Sequence, residues 1–135
     1  MTQPQVFHIA VIVLFVATFG EASLSKLIAR ETPQWFRDQF KDTWLGKLPI
    51  ALMYWSIALA ELAVAGVFVA AAVMMEFKTG TPNTLTGWGC LGAMAIFTAL
   101  LFGQRVSFDF PGAANSFFYA SMSGMLWYII NNLPK

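Results

Sequence analysis

One carboxyl group stands alone in the most apolar part of this chain. Glu61 lies near the middle of the run 49–75, which holds no other charged side chain. If that run crosses a bilayer, the carboxyl sits near the midplane, where a charge costs about 3 kcal/mol or more and by default marks a functional site. The chemistry open to it is that of a proton site, a ligand site or a polar clamp between helices. Burial disfavours a carboxylate and a neighbouring cation favours it, so the partner of Glu61 decides among these.

The residues able to partner it fall on one side. Glu21 and Lys26 lie toward the end of the first apolar stretch, with Ser23 and Ser25 between them. Being five apart, Glu21 and Lys26 are poorly placed on one helix face and better suited to groups on neighbouring helices. Gln104, Arg105, Asp109 and Asn115, from the third connection and the start of the last helix, reach the same side. These six residues and Glu61 are the candidate ligand-binding or polar cluster, with Glu61 at its inner end. Each also has a plainer use. Lys26 can snorkel to lipid headgroups, Arg105 and Asp109 can pair at i, i+4, and Glu61 can serve only as a structural clamp.

The elements that must position them follow from composition. At 58% hydrophobic, 11% charged and mean hydropathy +0.63, the chain is far from a soluble domain, in which about a quarter of residues are charged. It reads as an all-α integral membrane protein of one domain, 1–135. At roughly 20 residues per span, its apolar stretches predict four transmembrane helices, 6–28, 48–75, 84–102 and 113–130, in an up-down bundle. The first lacks a positive leader and is interrupted by Glu21 and Lys26, so it reads as a retained helix and not a signal peptide. Lys78, Gly80, Pro82 and Asn83 predict a turn across 76–86.

Between the first two spans, Phe36, Phe40 and Trp44 recur at i, i+4 and i+8 with Arg37, Asp38, Lys41 and Asp42 between them. That pattern predicts a short amphipathic helix, 33–45, with Thr32 as N-cap, Pro33 at N1 and Gly46 at C′. Trp35 and Trp44 suit the membrane interface, so Trp35, Phe36, Phe40 and Trp44 are the expected interfacial anchor, or else a lid over a cavity. Arg30, Arg37, Lys41, Lys47 and Arg105 lie on the side of loops 1 and 3, against Lys78 and Lys135 on the other. The positive-inside rule then predicts loops 1 and 3 in the cytoplasm and both termini outside.

Several functions are disfavoured by what the chain contains. A net charge of +1 without a basic cluster argues against nucleic acid. Gly87, Gly89 and Gly92 spell G-x-G-x-x-G, but no strand precedes them, so they read as small residues for close helix packing and not a dinucleotide fingerprint. Cys90 is the only cysteine, which rules out an internal dithiol relay, and His8 is the only histidine, which rules out a His-rich metal site within one chain. No metal is expected, and no cofactor is visible in the sequence, though a quinone or lipid would suit a bundle pocket lined by aromatic residues such as Trp55, Phe97, Phe118, Tyr119 and Trp127.

The order of features is itself distinctive: Gly20 and Ser25-Lys26-Leu27, then Pro33-Gln34-Trp35-Phe36, Glu61-Leu62, Phe102-Gly103-Gln104-Arg105, Asp109-Phe110 and Gly112-Ala113-Ala114-Asn115. Together these resemble the DoxX-like family of small four-helix membrane proteins over nearly the whole chain. The resemblance implies a bacterial inner-membrane protein of quinone-associated redox or accessory-subunit character, without a universal catalytic motif. Two readings result. One is a non-catalytic accessory or assembly subunit bound to membrane lipid and to other membrane subunits or copies of itself. The other is a quinone- or lipid-binding oxidoreductase component in which Glu61 or Glu21 handles protons and Lys26, Gln104 or Arg105 binds a head group. A small transporter is disfavoured because paired broken helices are missing.

Overall fold

The computed structural model of the chain describes residues 1–79 and 84–134. All regular structure among them is helical. The long helices are α1 (Gln3–Ala29), α3 (Ile50–Val73), α5 (Leu85–Val106) and α6 (Phe110–Asn131); α2 (Gln34–Phe40) and α4 (Glu76–Thr79) are short, and a 3-10 turn spans Trp44–Lys47. By length and composition α1, α3 and α5 are long and apolar enough to cross a membrane. α6, which carries Asn115, Ser116, Ser121 and Ser123, is not one of these three.

Caps set the ends. Thr2 and Gln5 form a reciprocal capping box that opens α1, which closes on Arg30 in the left-handed conformation, φ 59°. Thr84 caps α5 by accepting from the Gly87 N–H at 3.1 Å, and Asp109 caps α6 by accepting from the Gly112 N–H at 3.1 Å. Two expectations shift here. α5 runs on to Val106, so Gln104 and Arg105 are helical, and only 107–109 separate it from α6. The predicted 33–45 helix breaks after Phe40, where Thr43 turns its N–H and hydroxyl onto the Phe40 carbonyl. Pro33 holds the N-cap position in place of Thr32, and Gly46 lies inside the 3-10 turn and not at a helix C′. Of the predicted 76–86 turn, Glu76–Thr79 is a helical turn and Leu85 and Thr86 belong to α5; Gly80, Pro82 and Asn83 lie outside the described residues, as does Lys135.

Packing follows small residues and rings. α1 lies against α3, α3 against α5, and α5 against α6. Each pair is antiparallel: Phe15 stacks on Phe68 near mid-helix while Lys26 meets Glu61, Gly89 faces Phe68 while Gly92 faces Val64, and Gly87 faces Asn131 while Gln104 meets Ser116. The central core is Phe15, Phe19, Phe68, Cys90, Ala93 and Ile96, with Phe15 and Phe68 ring centroids 4.7 Å apart. A second core of Phe36, Phe40, Leu45 and Tyr54 fastens α2 and the 3-10 turn to the start of α3. The four aromatic residues expected as one anchor are thus divided: Phe36 and Phe40 point inward, while Trp35 and Trp44 stay exposed.

Candidate functional site

Glu61 sits on the face of α3 that carries Ala58, Val64 and Ala65, all buried. Its partner is Lys26. The ammonium lies 2.9 Å from each carboxylate oxygen, a two-pronged ion pair between α1 and α3. Depth explains the match. Glu61 lies at mid-helix in α3, but the four-carbon stem of Lys26 reaches inward to it, while the Tyr54 ring, about two turns away on α3, lies 5.4 Å from the ammonium. The Lys26 side chain keeps 22% of its surface exposed and that of Glu61 only 6%. Lys26 therefore snorkels toward a carboxylate and not only toward headgroups. The other candidate neighbours do not join them.

Glu21 is exposed on α1 and accepts from Ser25 at 2.6 Å along its own helix. The Gln104 amide meets the Ser116 hydroxyl at 2.6 Å, and with its nitrogen on that side it also donates to the Leu100 and Gly112 carbonyls. Gln104 is thus a bolt between α5 and the first turns of α6. Arg105 lies 4.9 Å over the Phe110 ring, and Asp109 is spent on its cap, so the two are not paired with each other. Asn115 faces outward from α6. The expected one-sided cluster is resolved into separate devices, because Gln104, Arg105 and Asp109 all work at the α5–α6 junction while Lys26 turns to α3.

A second buried polar group lies at the opposite end and was not legible as a unit in the sequence. His8 of α1, 6% exposed, places Nε2 2.7 Å from the Thr86 hydroxyl. That hydroxyl donates to Glu76 Oε2 at 3.0 Å, and the carboxylate also accepts the N–H groups of Leu85 at 2.6 Å and Thr86 at 3.0 Å. Glu76 therefore closes the orphan donors at the start of α5 from a distance in sequence of nine and ten residues. The signal for it was an acid just before a turn-rich segment, which reads equally well as a solvated loop residue.

Two apolar clefts open between helices. One, about 480 Å³, runs between α2, α3 and α5 past Phe36, Phe40, Met53, Ile57, Leu100 and Phe102, with Gln39 and Gln104 at its edge. The other, about 430 Å³, lies between α1 and α6 beside Leu14, Phe15, Phe97, Tyr119, Met122 and Leu126. Of the five aromatic residues expected to line a pocket, Phe97 and Tyr119 share this cleft, Trp127 lies in a smaller one, and Phe118 is exposed. No cluster of metal-ligating side chains forms among the described residues. Comparison with family models, with curated proteins and with solved structures finds no match to this chain.

Proposed function

We propose that this chain is an integral membrane protein whose four long helices all cross the bilayer as an up-down bundle, and that it serves as a non-catalytic accessory or assembly subunit of a larger membrane complex. The observation that carries this reading is the state of Glu61. A carboxylate gripped through both oxygens by Lys26 is a clamp between α1 and α3, because proton work needs a carboxyl that is free to exchange with a carbonyl or water path. Glu76, Asp109 and Gln104 are likewise spent on helix ends and junctions.

The outward face of α6 supports a protein partner. Asn115, Ser121, Met122, Met125 and Tyr128 are exposed there, a polar and adaptable surface that suits another helix better than lipid tails, since polar side chains are used as contacts between membrane helices and Met repacks readily. The resemblance to DoxX-like proteins belongs to the same proposal, as does a cytoplasmic position for α2 and the basic end. Extraction in mild detergent followed by native mass spectrometry tests it. The expected result is co-purification with other membrane subunits or with further copies of the chain, weakened by Ser121→Leu with Met125→Ala. An isolated monomer that holds a quinone through purification would overturn it.

A lipid- or quinone-binding component is the second reading, favoured by the cleft between α2, α3 and α5. Its walls are apolar and include the exposed indole of Trp35, an arrangement suited to an isoprenoid or acyl tail. Phe36→Ala with Met53→Ala, which enlarges the cleft, would change quinone or lipid content in the same mass spectra if this reading holds.

A further inference from the structure

We propose that the cleft between α1 and α6 binds a single-tailed amphiphilic cation, with the tail along the cleft and the ammonium on Glu21. The close seams between long helices are α1–α3, α3–α5 and α5–α6. Between α1 and α6 lies instead the cleft of about 430 Å³, flanked by Leu14 and Thr18 on one side and by Tyr119, Met122 and Leu126 on the other. Glu21 stands at one end of it. Leu14, Thr18, Glu21 and Ser25 recur at i, i+4, i+7 and i+11, one stripe of α1, and Asn115, Tyr119, Met122 and Leu126 recur in the same way on α6. Since α1 runs antiparallel to α6, the Glu21 end of the first stripe faces the Asn115 end of the second.

The depth of Glu21 follows from helix register. α1 and α5 run side by side in step: His8 meets Thr86 and, eleven residues on in both, Phe19 meets Phe97 with ring centroids 5.4 Å apart. Glu21 is therefore level with Ala99, about 7 Å inside Gln104. Tyr119, whose ring centroid lies 5.4 Å from that of Phe97, is within about 3 Å of the same level. An exposed acid at that depth in a membrane is costly unless it is partnered. Ser25 donates to one of its oxygens at 2.6 Å, and the other meets neither donor nor cation among the described residues. Lys26 is turned to Glu61, and Arg105 lies about 9 Å further toward the basic end.

Charge and size select the guest. No Lys or Arg lines the cleft, so an anion would meet only the like charge of Glu21, and a neutral amphiphile would leave the carboxylate unpaired. A primary ammonium donates to the free carboxylate oxygen, with the exposed Asn115 amide oxygen as a further acceptor. The Tyr119 ring, 51% exposed, adds an aromatic face that attracts cations. At about 30 Å³ per non-hydrogen atom, the share of one water in the liquid, a cleft of about 430 Å³ takes one ammonium and a chain of about a dozen carbons. A phospholipid carries two longer tails and a phosphate that Glu21 repels.

This inference rests on the membrane reading, and the experiment separates the two. Release of the chain by an alkaline carbonate wash overturns both; once the chain is retained, binding is a test of its own. Purified protein is placed in phosphatidylcholine nanodiscs, and uptake of radiolabelled dodecylammonium, dodecanol and dodecanoate is measured by equilibrium dialysis against empty nanodiscs. We expect the cation to bind about tenfold more tightly than the alcohol, the effect of one charge-assisted hydrogen bond, and dodecanoate to show no uptake beyond that of the empty discs. Glu21→Gln, at an exposed position and of the same shape, should bring the cation down to the level of the alcohol while helical content and melting stay near wild type, and Glu21→Asp should restore most of the difference. Met122→Trp, which fills the cleft, should lower the binding of cation and alcohol together. Equal binding of cation and alcohol by the wild type, a preference unchanged in Glu21→Gln, or binding indifferent to Met122→Trp would overturn the proposal. Loss of a co-purifying membrane subunit from Glu21→Gln, with no dodecylammonium bound by the wild type, would overturn it equally and assign the carboxylate to a basic residue of that subunit.

Discussion

Lys26 and Glu61 are partners with unequal means of escape, and that inequality makes their roles separable. Removing one member of a buried pair costs about 3–5 kcal/mol because the other is left unpaired, whereas replacing both by apolar side chains is often neutral. Lys26 is 22% exposed and near the basic end, so it can turn outward when its partner loses charge; Glu61, at 6%, has no such route. Glu61→Gln is therefore expected to lower stability by about 2 kcal/mol and Lys26→Met by about 3–5 kcal/mol, with Lys26→Met, Glu61→Leu back near wild type. Denaturation in detergent at slightly alkaline pH measures the order. A double variant no better than Lys26→Met would mean that Glu61 does something other than clamp α1 to α3.

The His8, Thr86 and Glu76 chain makes a prediction about a single proton. Thr86 has one hydroxyl hydrogen, and an ionised carboxylate can only accept, so a hydroxyl that donates to Glu76 must accept from His8. His8 is then protonated on Nε2 in its neutral form. Because the chain holds one histidine, ¹⁵N-histidine labelling yields a single pair of ring signals. Wild type and Thr86→Ser should show the Nε2–H tautomer, and Thr86→Val a shift toward a mixture with a loss of about 1–3 kcal/mol for the group left unsatisfied. An Nδ1–H signal in the wild type would refute the bonding order.

At the level of elements, the contact between α3 and α5 depends on what glycine leaves out. A Cβ on Gly89 would sit 2.7 Å from the Phe68 ring, which is fully buried and cannot retreat, and one on Gly92 would sit 3.0 Å from Val64 Cγ2. Gly66 has nothing within 4 Å. Overpacking costs about 1–3 kcal/mol, whereas glycine in an open helix position is about 0.5–1 kcal/mol worse than alanine. The expected order of stability is Gly66→Ala at or above wild type, then Gly92→Ala, then Gly89→Ala lowest, with Gly89→Ala partly restored by Phe68→Leu. Equal melting of all three would place the tight α3–α5 contact elsewhere.

The same helices show which features can be read from a sequence. Apolar length locates α1, α3 and α5 to within a few residues, because it is a property of consecutive positions. The amphipathic period around Phe36 and Phe40 is equally local, although its end is not: the Thr43 turn that stops α2 depends on one hydroxyl. The partnership of Lys26 with Glu61 was visible only as membership of a short list, since choosing among Glu21, Lys26, Gln104 and Arg105 requires knowing which helix lies beside which. Glu76 was invisible as a cap for the same reason. Gln104 and Arg105 keep different company from that expected, because four more residues of helix carry them onto the α5–α6 junction, where Asp109 caps α6.

For the whole molecule, topology turns on α6, the long helix outside the three apolar spans. Its antiparallel contact with α5 runs from Gln104 and Ser116 at one end to Gly87 and Asn131 at the other, so if α5 spans, α6 is carried across beside it, its polar face against a neighbour. Three spans and four spans differ in where Asn132 emerges. Cys90 is fully buried and is the chain's only cysteine, which allows single cysteines to be introduced on a Cys90→Ser background at exposed Asp38, Lys78 and Asn132. Labelling of intact cells with a membrane-impermeant maleimide should modify Lys78→Cys and Asn132→Cys but leave Asp38→Cys protected until the cells are broken, given basic connections on the cytoplasmic side. Labelling of Lys78→Cys with protection of both others would mean that α6 does not cross. The reverse pattern, Asp38→Cys alone labelled, would keep four spans and invert the protein, since its few basic residues are diluted by neighbouring acids and the orienting bias is small.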